Sequence, residues 1–296
     1  MGDALGSQFF IPANRQALSS RTPPPGPWQW TDDTEMACSI YRVLADAGAI
    51  DQDQLAGSFA AHHDFDRGYG PATNRMLRLV REGGDWRALA SELFDGSGSW
   101  GNGAAMRVAP LGAWFAGDLP LAAAQARLSA EVTHTHPEAA AGAIAVAVAT
   151  AIAAGPASEP ANDPGAAGAR PAARPAPGRF IDQVLEHTPP GMVRDGIAQA
   201  RRLLTISDPV LAARALGNGR AVSAQDTVPF TIWVAARHLD DYAAAFWTTA
   251  AAGGDMDTTC AIVGGIVGAR VGLGGIPAKW LRMCEPPADW AKAPLH

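Results

Sequence analysis

The chain has 296 residues, a formal net charge of −6 at pH 7, and 48% hydrophobic but only 7% aromatic residues. This length allows a large domain with a sizeable core, and an acidic balance without a Lys/Arg-rich run argues against a nucleic-acid-binding surface. Cys38, Cys260 and Cys284 lack metal-type spacing and suit free thiols. No basic segment followed by a long apolar stretch opens the chain, so we expect a cytoplasmic protein.

The first half of the chain is predicted to consist of helices and one long loop near the N-terminus. Residues 2–6 (GDALG) are predicted to end a helix that leads into a loop rich in Pro, Asn and Ser, which continues to Trp30. The alanine-rich run at 138–155 is short for a membrane span and predicts a buried core helix. Helices are predicted over residues 31–47, 54–62, 72–82, 121–130 and 137–154.

The second half contains one segment that differs in composition from the rest. Residues 155–178 are mostly Pro, Ala and Gly, so we predict a disordered insert within a single domain that spans 1–296. Helices are predicted over residues 180–186, 193–204, 210–216, 227–239, 241–252 and 258–268. Because no run shows sustained strand alternation, the sequence predicts an all-α fold.

Two carboxylates stand at the start of the last of these helices. Asp255 and Asp257 are two residues apart, a spacing that can converge in a turn, and the preceding glycines at 253–254 let that turn bend. With Thr258 they suggest a hard-metal site, although Asp257 as a simple helix cap is the alternative. The small residues of this helix would let another helix approach closely.

A second acidic helix start lies far upstream, at Thr31-Asp32-Asp33-Thr34. Asp32 followed by Glu35 also fits a capping box, which is the alternative interpretation here. The two helix starts together offer four carboxylates and two hydroxyls to one oxygen-rich site. Such a site suits Mg or Mn rather than Zn.

A glycine-rich stretch at 97–107 (SGSWGNGAAMR) is the second informative region. Its glycines free backbone N–H groups to face a phosphate, and Trp100 is either a stacking partner for a base or a core residue. Arg107 is expected on a helix surface or as a paired buried cation. His134 and His136 are expected to hydrogen-bond backbone or ligand rather than bind metal.

The combination of motifs resembles the ADP-ribosylglycohydrolase family. The resemblance is carried by GDALG at 2–6, TDDT at 31–34, GNGAAMR at 101–107, THTHPEA at 133–139 and GGDMDTTCAIVGGIVGA at 253–269. It implies a compact orthogonal multi-helix bundle whose cleft holds two Mg or Mn ions. The implied activity removes ADP-ribose from a modified arginine or serine of a protein, or from a small ADP-ribose conjugate, and we expect a monomer that does not bind membranes.

The resemblance also implies roles for individual residues. The implied metal ligands are Thr31, Asp32, Asp33, Asp255, Asp257 and Thr258, and the implied catalytic carboxylates are Asp32, Asp33 and Asp257. The implied substrate-binding residues are Gly70, Ser99, Trp100, Gly101, Asn102, Gly103 and His134. A carboxylate at the metal site, such as Asp32 or Asp257, is expected to accept the proton of the attacking water.

Two features depart from the family pattern. The family usually has a full helix before GDALG, whereas here the motif begins at Gly2, which implies a missing helix or a misassigned start. Many members carry a catalytic glutamate four residues after GDALG, where this chain has Phe10. The alternatives are therefore a non-catalytic ADP-ribose-binding or structural relative, and a hydrolase of another nucleotide conjugate.

Overall fold

The computed structural model of the protein describes residues 1–155 and 174–292. Within these ranges there is no β-strand and only two isolated bridges, Trp28 with Cys284 and Gly101 with Ser223. The all-α prediction is therefore confirmed. The helices, numbered in chain order, are α1 Gly2–Gly6, α2 Arg15–Ser19, α3 Asp32–Ala47, α4 Gln52–His62, α5 Pro71–Arg81, α6 Trp86–Ser91, α7 Gly103–Met106, α8 Ala109–Trp114, α9 Leu119–Glu131, α10 Pro137–Ala154, α11 Pro177–His187, α12 Met192–Arg202, α13 Pro209–Leu216, α14 Ala224–Arg237, α15 Tyr242–Ala250, α16 Met256–Val271 and α17 Ala278–Met283.

Helix α10 lies at the centre of the core and contacts α7, α8, α9, α14 and α16. By length and composition it could cross a membrane, but 78% of it is buried inside this fold, in agreement with the predicted core helix. The small alanine side chains of α10 let the neighbouring helices pack closely against it, and a glycine of α8 allows a still closer approach. A Cβ added to Gly112 of α8 would lie 2.3 Å from the backbone oxygen of Ala147, so only glycine permits that approach.

The predicted helices are present with ends shifted by a few residues, and the errors concern short elements. The predicted loop before Trp30 contains α2 and two short 3-10 turns, so that prediction was wrong in part. Residues 156–173 of the predicted insert lie outside the described residues. Its predicted end at Gly178 is wrong, because α11 begins at Pro177, a residue that suits the first turn of a helix.

Three helices position the candidate site. Helix α1 packs against α16 so closely that a Cβ on Gly2 would lie 2.0 Å from the backbone oxygen of Cys260. A Cβ on Gly6 would likewise lie 2.4 Å from the backbone oxygen of Met256. This is the close approach that the small residues of α16 predict. It places α1 beside the N-terminus of α16, and the N-termini of α16 and α3 open onto one cleft.

Candidate active site

The cleft between these N-termini has a volume of about 560 Å³. It unites the two acidic helix starts with the glycine-rich stretch, although they are far apart in sequence. Of the residues predicted to form the site, those that line it are Asp32, Asp33, Gly70, Ser99, Trp100, Gly101, Asn102, Gly103, His134, Asp255, Asp257 and Thr258. Thr31 is the one predicted site residue that does not line the cleft.

The four aspartates form a cluster with unfavourable mutual charge. Burial, reinforced by the charges of Asp3 and Asp255, raises the pKa of Asp32 to about 7. Burial also raises the pKa of Asp33 and of Asp257 well above the ordinary aspartate value, and neighbouring carboxylates add to both shifts. A cluster of this kind is stable at neutral pH when it holds protons or when a cation offsets its charge.

Asp255 is held in place by contacts from two distant segments. The side-chain amide of Asn102 donates to Asp255 Oδ2 at 2.8 Å and to Thr227 Oγ1 at 3.1 Å. The backbone N–H of Asp255 donates to the carbonyl of Asn218 at 3.0 Å. The glycines at 253–254 adopt φ values of 64° and 79°, which confirms the turn that the sequence predicts. Asn102 lines the cleft, but its amide hydrogens are directed to Asp255 and Thr227.

The simpler capping interpretations do not hold for the acidic residues. The carboxylate of Asp255, at the N-cap position of α16, forms no capping hydrogen bond. Asp257 lies within the first turn of α16 rather than at its N-cap position, and its Oδ1 accepts from the N–H of the adjacent Thr258 at 2.8 Å. The capping box that Asp32 and Glu35 suggested is absent, because Glu35 instead accepts from the Tyr69 hydroxyl at 2.7 Å.

Thr31 is turned away from the cleft toward a buried carboxylate that the sequence interpretation missed. Its hydroxyl lies 2.8 Å from Asp3 Oδ1 and 3.0 Å from Asp33 Oδ2, and its backbone N–H donates to Asp3 Oδ2 at 2.9 Å. Asp3 also accepts from the hydroxyl of Thr34. The only sequence signal for Asp3 was its place in the GDALG motif, which gave no reason to connect it with α3.

His134 packs against the glycine-rich stretch from within the protein. A Cβ on Gly103 would lie 2.9 Å from His134 Nε2, and one on Gly101 would lie 3.1 Å from it, so both positions favour glycine. Burial, with a contribution from the nearby Arg107 cation, lowers the pKa of His134 to about 3. The imidazole is therefore neutral at physiological pH.

A buried chain of hydrogen bonds sets the tautomer of this imidazole. The Arg107 guanidinium is fully buried and donates to the Ser129 carbonyl at 3.0 Å and to Thr133 Oγ1 at 2.9 Å. Thr133 Oγ1 accepts from Arg107, and among the described residues its proton has no acceptor other than His134 Nδ1, 2.7 Å away, so the fully hydrogen-bonded arrangement has the hydroxyl donating to Nδ1. The remaining proton of the neutral ring is then on Nε2, the nitrogen nearest the glycine-rich stretch.

Aromatic side chains form one side of the cleft entrance. The indole of Trp100 is 37% exposed, so it is not a core residue, and its ring centroid lies 4.8 Å from that of Phe94. Val222 lines the same cleft and is 61% exposed. Exposed apolar groups next to a polar, acidic floor suit a ligand with a flat apolar part and a polar part.

Phe10, at the position of the family's frequent glutamate, is not among the residues that line the cleft, and its side chain is 50% exposed. Phe9 is the buried member of the pair and packs on Phe246 and Trp247. A proton acceptor for the cleft must therefore come from another residue.

The donor set of the cleft fits a hard divalent cation, with one exception. Asp33 Oδ1 is buried and has no hydrogen-bond partner, as expected of an oxygen that needs a cation or a proton. The exception is Thr31, whose hydroxyl is directed to carboxylates. In the described part of the chain, no three His, Cys, Asp or Glu side chains are already grouped as a metal site. Ligation would therefore need the aspartate side chains to adopt a different arrangement.

The fold and the site together define an all-α protein with an oxygen-rich acidic cleft that faces a glycine-rich turn. A family profile for ADP-ribosylglycohydrolase matches residues 1–294, and the chain belongs to this family. Membership supports a hydrolase that acts on ADP-ribosyl bonds.

Individual relatives agree with this assignment. ADP-ribosylhydrolase ARH3 of Homo sapiens is 29% identical over 276 residues, which cover 86% of this chain and 74% of the human protein. ADP-ribosyl-[dinitrogen reductase] glycohydrolase of Rhodospirillum rubrum is 28% identical over 264 residues, covering 86% and 73%. A solved structure, an ADP-ribosylglycohydrolase-related protein complex, superposes with a TM-score of 0.66 at 25% identity and covers 96% of this chain and 88% of its own.

Proposed function

We propose that the protein is a metal-dependent hydrolase that removes ADP-ribose from an arginine or serine side chain of a modified protein, or from a small ADP-ribose conjugate. The observation that carries this proposal is the placement of Asp32, Asp33, Asp255 and Asp257 in one cleft with the glycine-rich stretch and Trp100. The acidic floor suits two Mg or Mn ions, and the turn suits a diphosphate. The sequence expectations of a monomer and of a cytoplasmic location are retained as part of this proposal.

Different residues of the cleft are suited to different parts of ADP-ribose. The N–H of Gly101 already donates to Ser99 Oγ at 3.2 Å, so other backbone N–H groups of the glycine-rich stretch and the Nε2–H of His134 would donate to the diphosphate oxygens. The exposed face of Trp100 suits the adenine ring. The ribose would then lie over the aspartates. Asp32, Asp33, Asp255, Asp257 and Thr258 would hold the cations, which supply Lewis acidity beside the ribose.

The chemical step needs a proton acceptor near the anomeric carbon. Water attacks this carbon as its bond to the nitrogen or oxygen of the modified side chain breaks, through an oxocarbenium-like state. The Asp32 carboxylate suits the acceptor role, because it lies at the acidic floor of the cleft and bound cations would keep it ionised at neutral pH. Asp257 is the second candidate at the same floor. The proton is returned to the leaving nitrogen or oxygen.

A substrate panel tests the proposal. Peptides that carry ADP-ribosyl-arginine or ADP-ribosyl-serine, and free ADP-ribosyl conjugates, are incubated with the protein in Mg, in Mn and in chelator, and released ADP-ribose is measured. The proposal predicts release from at least one substrate that stops in chelator. Tight ADP-ribose binding without release from any substrate would instead identify a non-catalytic ADP-ribose-binding protein, the alternative that Phe10 suggests.

A further inference from the structure

A second groove lies beside the candidate active site, and one short loop separates the two. Its volume is about 920 Å³, and residues of α12, α13 and the loop at 217–222 line it. Within this loop, Asn218 and Arg220 line the groove, whereas Ala221 and Val222 line the cleft. The groove and the cleft are therefore adjacent along this loop.

Three arginines and two aspartates line the groove, so positive charge is in excess there. Arg202, Arg214 and Arg220 are all exposed. The aspartates are Asp195 and Asp226, and Asp226 accepts from the backbone N–H of Ala221 at 2.7 Å. None of the three guanidinium groups has a hydrogen-bond or ion-pair partner among residues 1–155 and 174–292. The neighbouring Arg201 differs, because it pairs with Asp182 at 3.0 Å. In a chain with a net charge of −6, unpaired cations gathered in one groove suit an anionic partner.

The other groups in the groove indicate what kind of anion fits. Gln225 Oε1 is buried without a partner and can accept from a backbone N–H. Met192 and Val210, which are 62% and 41% exposed, add apolar surface. No aromatic ring for stacking a base is present among the described residues that line the groove. Guanidinium, amide and apolar groups together suit a carboxylate-rich polypeptide.

We propose that this groove, here called the basic groove, docks an acidic segment of the ADP-ribosylated protein next to its modified residue. This inference rests on the proposed function only in taking the substrate to be a modified protein. Carboxylates of the segment pair with the three arginines, and its backbone meets the amides of Gln199 and Gln225. The basic groove thus selects the protein partner, while the cleft recognises the ADP-ribose.

Binding of unmodified peptides tests the proposal separately from hydrolysis. A short fluorescent peptide rich in Glu is titrated by anisotropy, beside the same peptide with Gln in place of Glu. We expect the full-length protein to bind the Glu peptide about tenfold more tightly, since exposed ion pairs each contribute little and three of them together give a modest preference. The triple variant R202Q/R214Q/R220Q should lose this preference, and added salt should weaken it.

A charge-matched variant is the control. R15Q/R78Q/R127Q removes three exposed arginines that do not line the basic groove, and it should keep the preference for the Glu peptide. Thermal unfolding of both variants checks that they are folded. Equal affinity for the two peptides, equal loss in both variants, or tighter binding of single-stranded RNA than of the Glu peptide would overturn the proposal.

The outcome is independent of the proposed function, because these peptides carry no ADP-ribose. If the protein proves catalytic, the R202Q/R214Q/R220Q variant should lower kcat/KM on acidic modified proteins about tenfold and leave small ADP-ribosyl conjugates unaffected. An equal loss on both substrates would show that the arginines act on the cleft rather than on the partner. Failure of all hydrolysis would leave the peptide result standing.

Discussion

The carboxylate of Asp3 accepts a hydrogen bond from the backbone N–H of Thr31 at 2.9 Å, and its other oxygen lies 2.8 Å from the Thr31 hydroxyl. These contacts tie α1 to the residue that precedes α3. Asp32 and Asp33 follow Thr31 directly in the sequence. By holding Thr31, Asp3 therefore orients the start of α3, from which both aspartates reach the cleft. Asp3 is buried and is therefore a positioning residue for the acidic cluster.

Replacing Asp3 by Asn should weaken divalent-cation binding. The amide nitrogen of Asn would face donors at Thr31 or Thr34, so the start of α3 would shift while the size of the side chain stays the same. Calorimetric titration with Mn should show a loss of about tenfold or more in affinity. Asp118→Asn is the matched control, since Asp118 caps α9 away from the cleft. Unchanged Mn affinity in Asp3→Asn would contradict the positioning role.

The cation-free protein should become less stable as the pH rises from 3.8 to about 7. The pKa of Asp32 is about 7 in the folded state against 3.8 ordinarily, so between these values the folded protein holds a proton that the unfolded chain has lost. The stability associated with that proton is complete below 3.8 and is lost as the pH rises through 7. The melting temperature should therefore fall over this interval.

Two further melting experiments check this assignment. Asp33→Asn removes one of the crowded charges and should make the fall smaller, because the remaining carboxylates ionise more easily. Added Mg or Mn should raise the melting temperature more at the higher pH, where the ligands are deprotonated. A melting temperature that rises with pH in the cation-free protein would contradict the account.

The sequence predicted the parts of the fold and site that depend on local pattern. Helical periodicity and alanine content indicated the long helices, and two acidic helix starts indicated one shared cleft. Short helices such as α6 and α8 were missed, because six residues are too few to establish a period.

Contacts between residues that are far apart in the sequence could not be predicted from local sequence patterns. Asp3 contacts Thr31 from α1, which its glycines let lie directly on α16, and Asn102 reaches Asp255 across 153 positions. The family resemblance implied a substrate-binding role for Asn102 and a metal-binding role for Thr31, and it did not indicate the contacts that both side chains make with carboxylates.

Trp100→Ala should weaken ADP-ribose binding by stacking energy alone. Its indole is partly exposed at the cleft entrance beside Phe94, and stacking on a base is worth roughly 1–3 kcal/mol by alanine substitution. Titration with ADP-ribose should thus show a weakening of about 5-fold to 150-fold. Trp114→Ala is the control, because Trp114 is 45% exposed, contacts Tyr41 and does not line the cleft. Equal affinity in the two variants would exclude stacking.

In Thr133→Val, His134 should no longer be held in a single tautomer. Valine has nearly the same shape as threonine, so the packing at position 133 is kept. Without the hydroxyl, Nδ1 loses its donor and Arg107 loses an acceptor, at a cost of about 1–3 kcal/mol in the free energy of unfolding. Nitrogen NMR shifts of the imidazole should then report a mixture of Nδ1–H and Nε2–H forms, and ADP-ribose should bind more weakly.

Thr150→Val gives the matched control for this change. Thr150 is also fully buried and donates to a backbone carbonyl, that of Val146 at 2.8 Å, but it has no contact with His134. It should lose less stability, because the Val146 carbonyl keeps its helical N–H partner, and it should show no change in the imidazole spectrum. A single Nε2–H form in Thr133→Val would show that another contact sets the tautomer.

The central claim is that the aspartate cluster cleaves an ADP-ribosyl bond with the help of divalent cations. Its most direct test is single-turnover release of ADP-ribose from an ADP-ribosyl-arginine and an ADP-ribosyl-serine peptide, by the wild type and by Asp257→Asn, with Mn and with chelator. The account predicts release by the wild type with Mn on at least one peptide, and a loss of at least about a hundredfold in Asp257→Asn and in chelator. Undiminished release by Asp257→Asn, or equal release by the wild type in chelator, would contradict it.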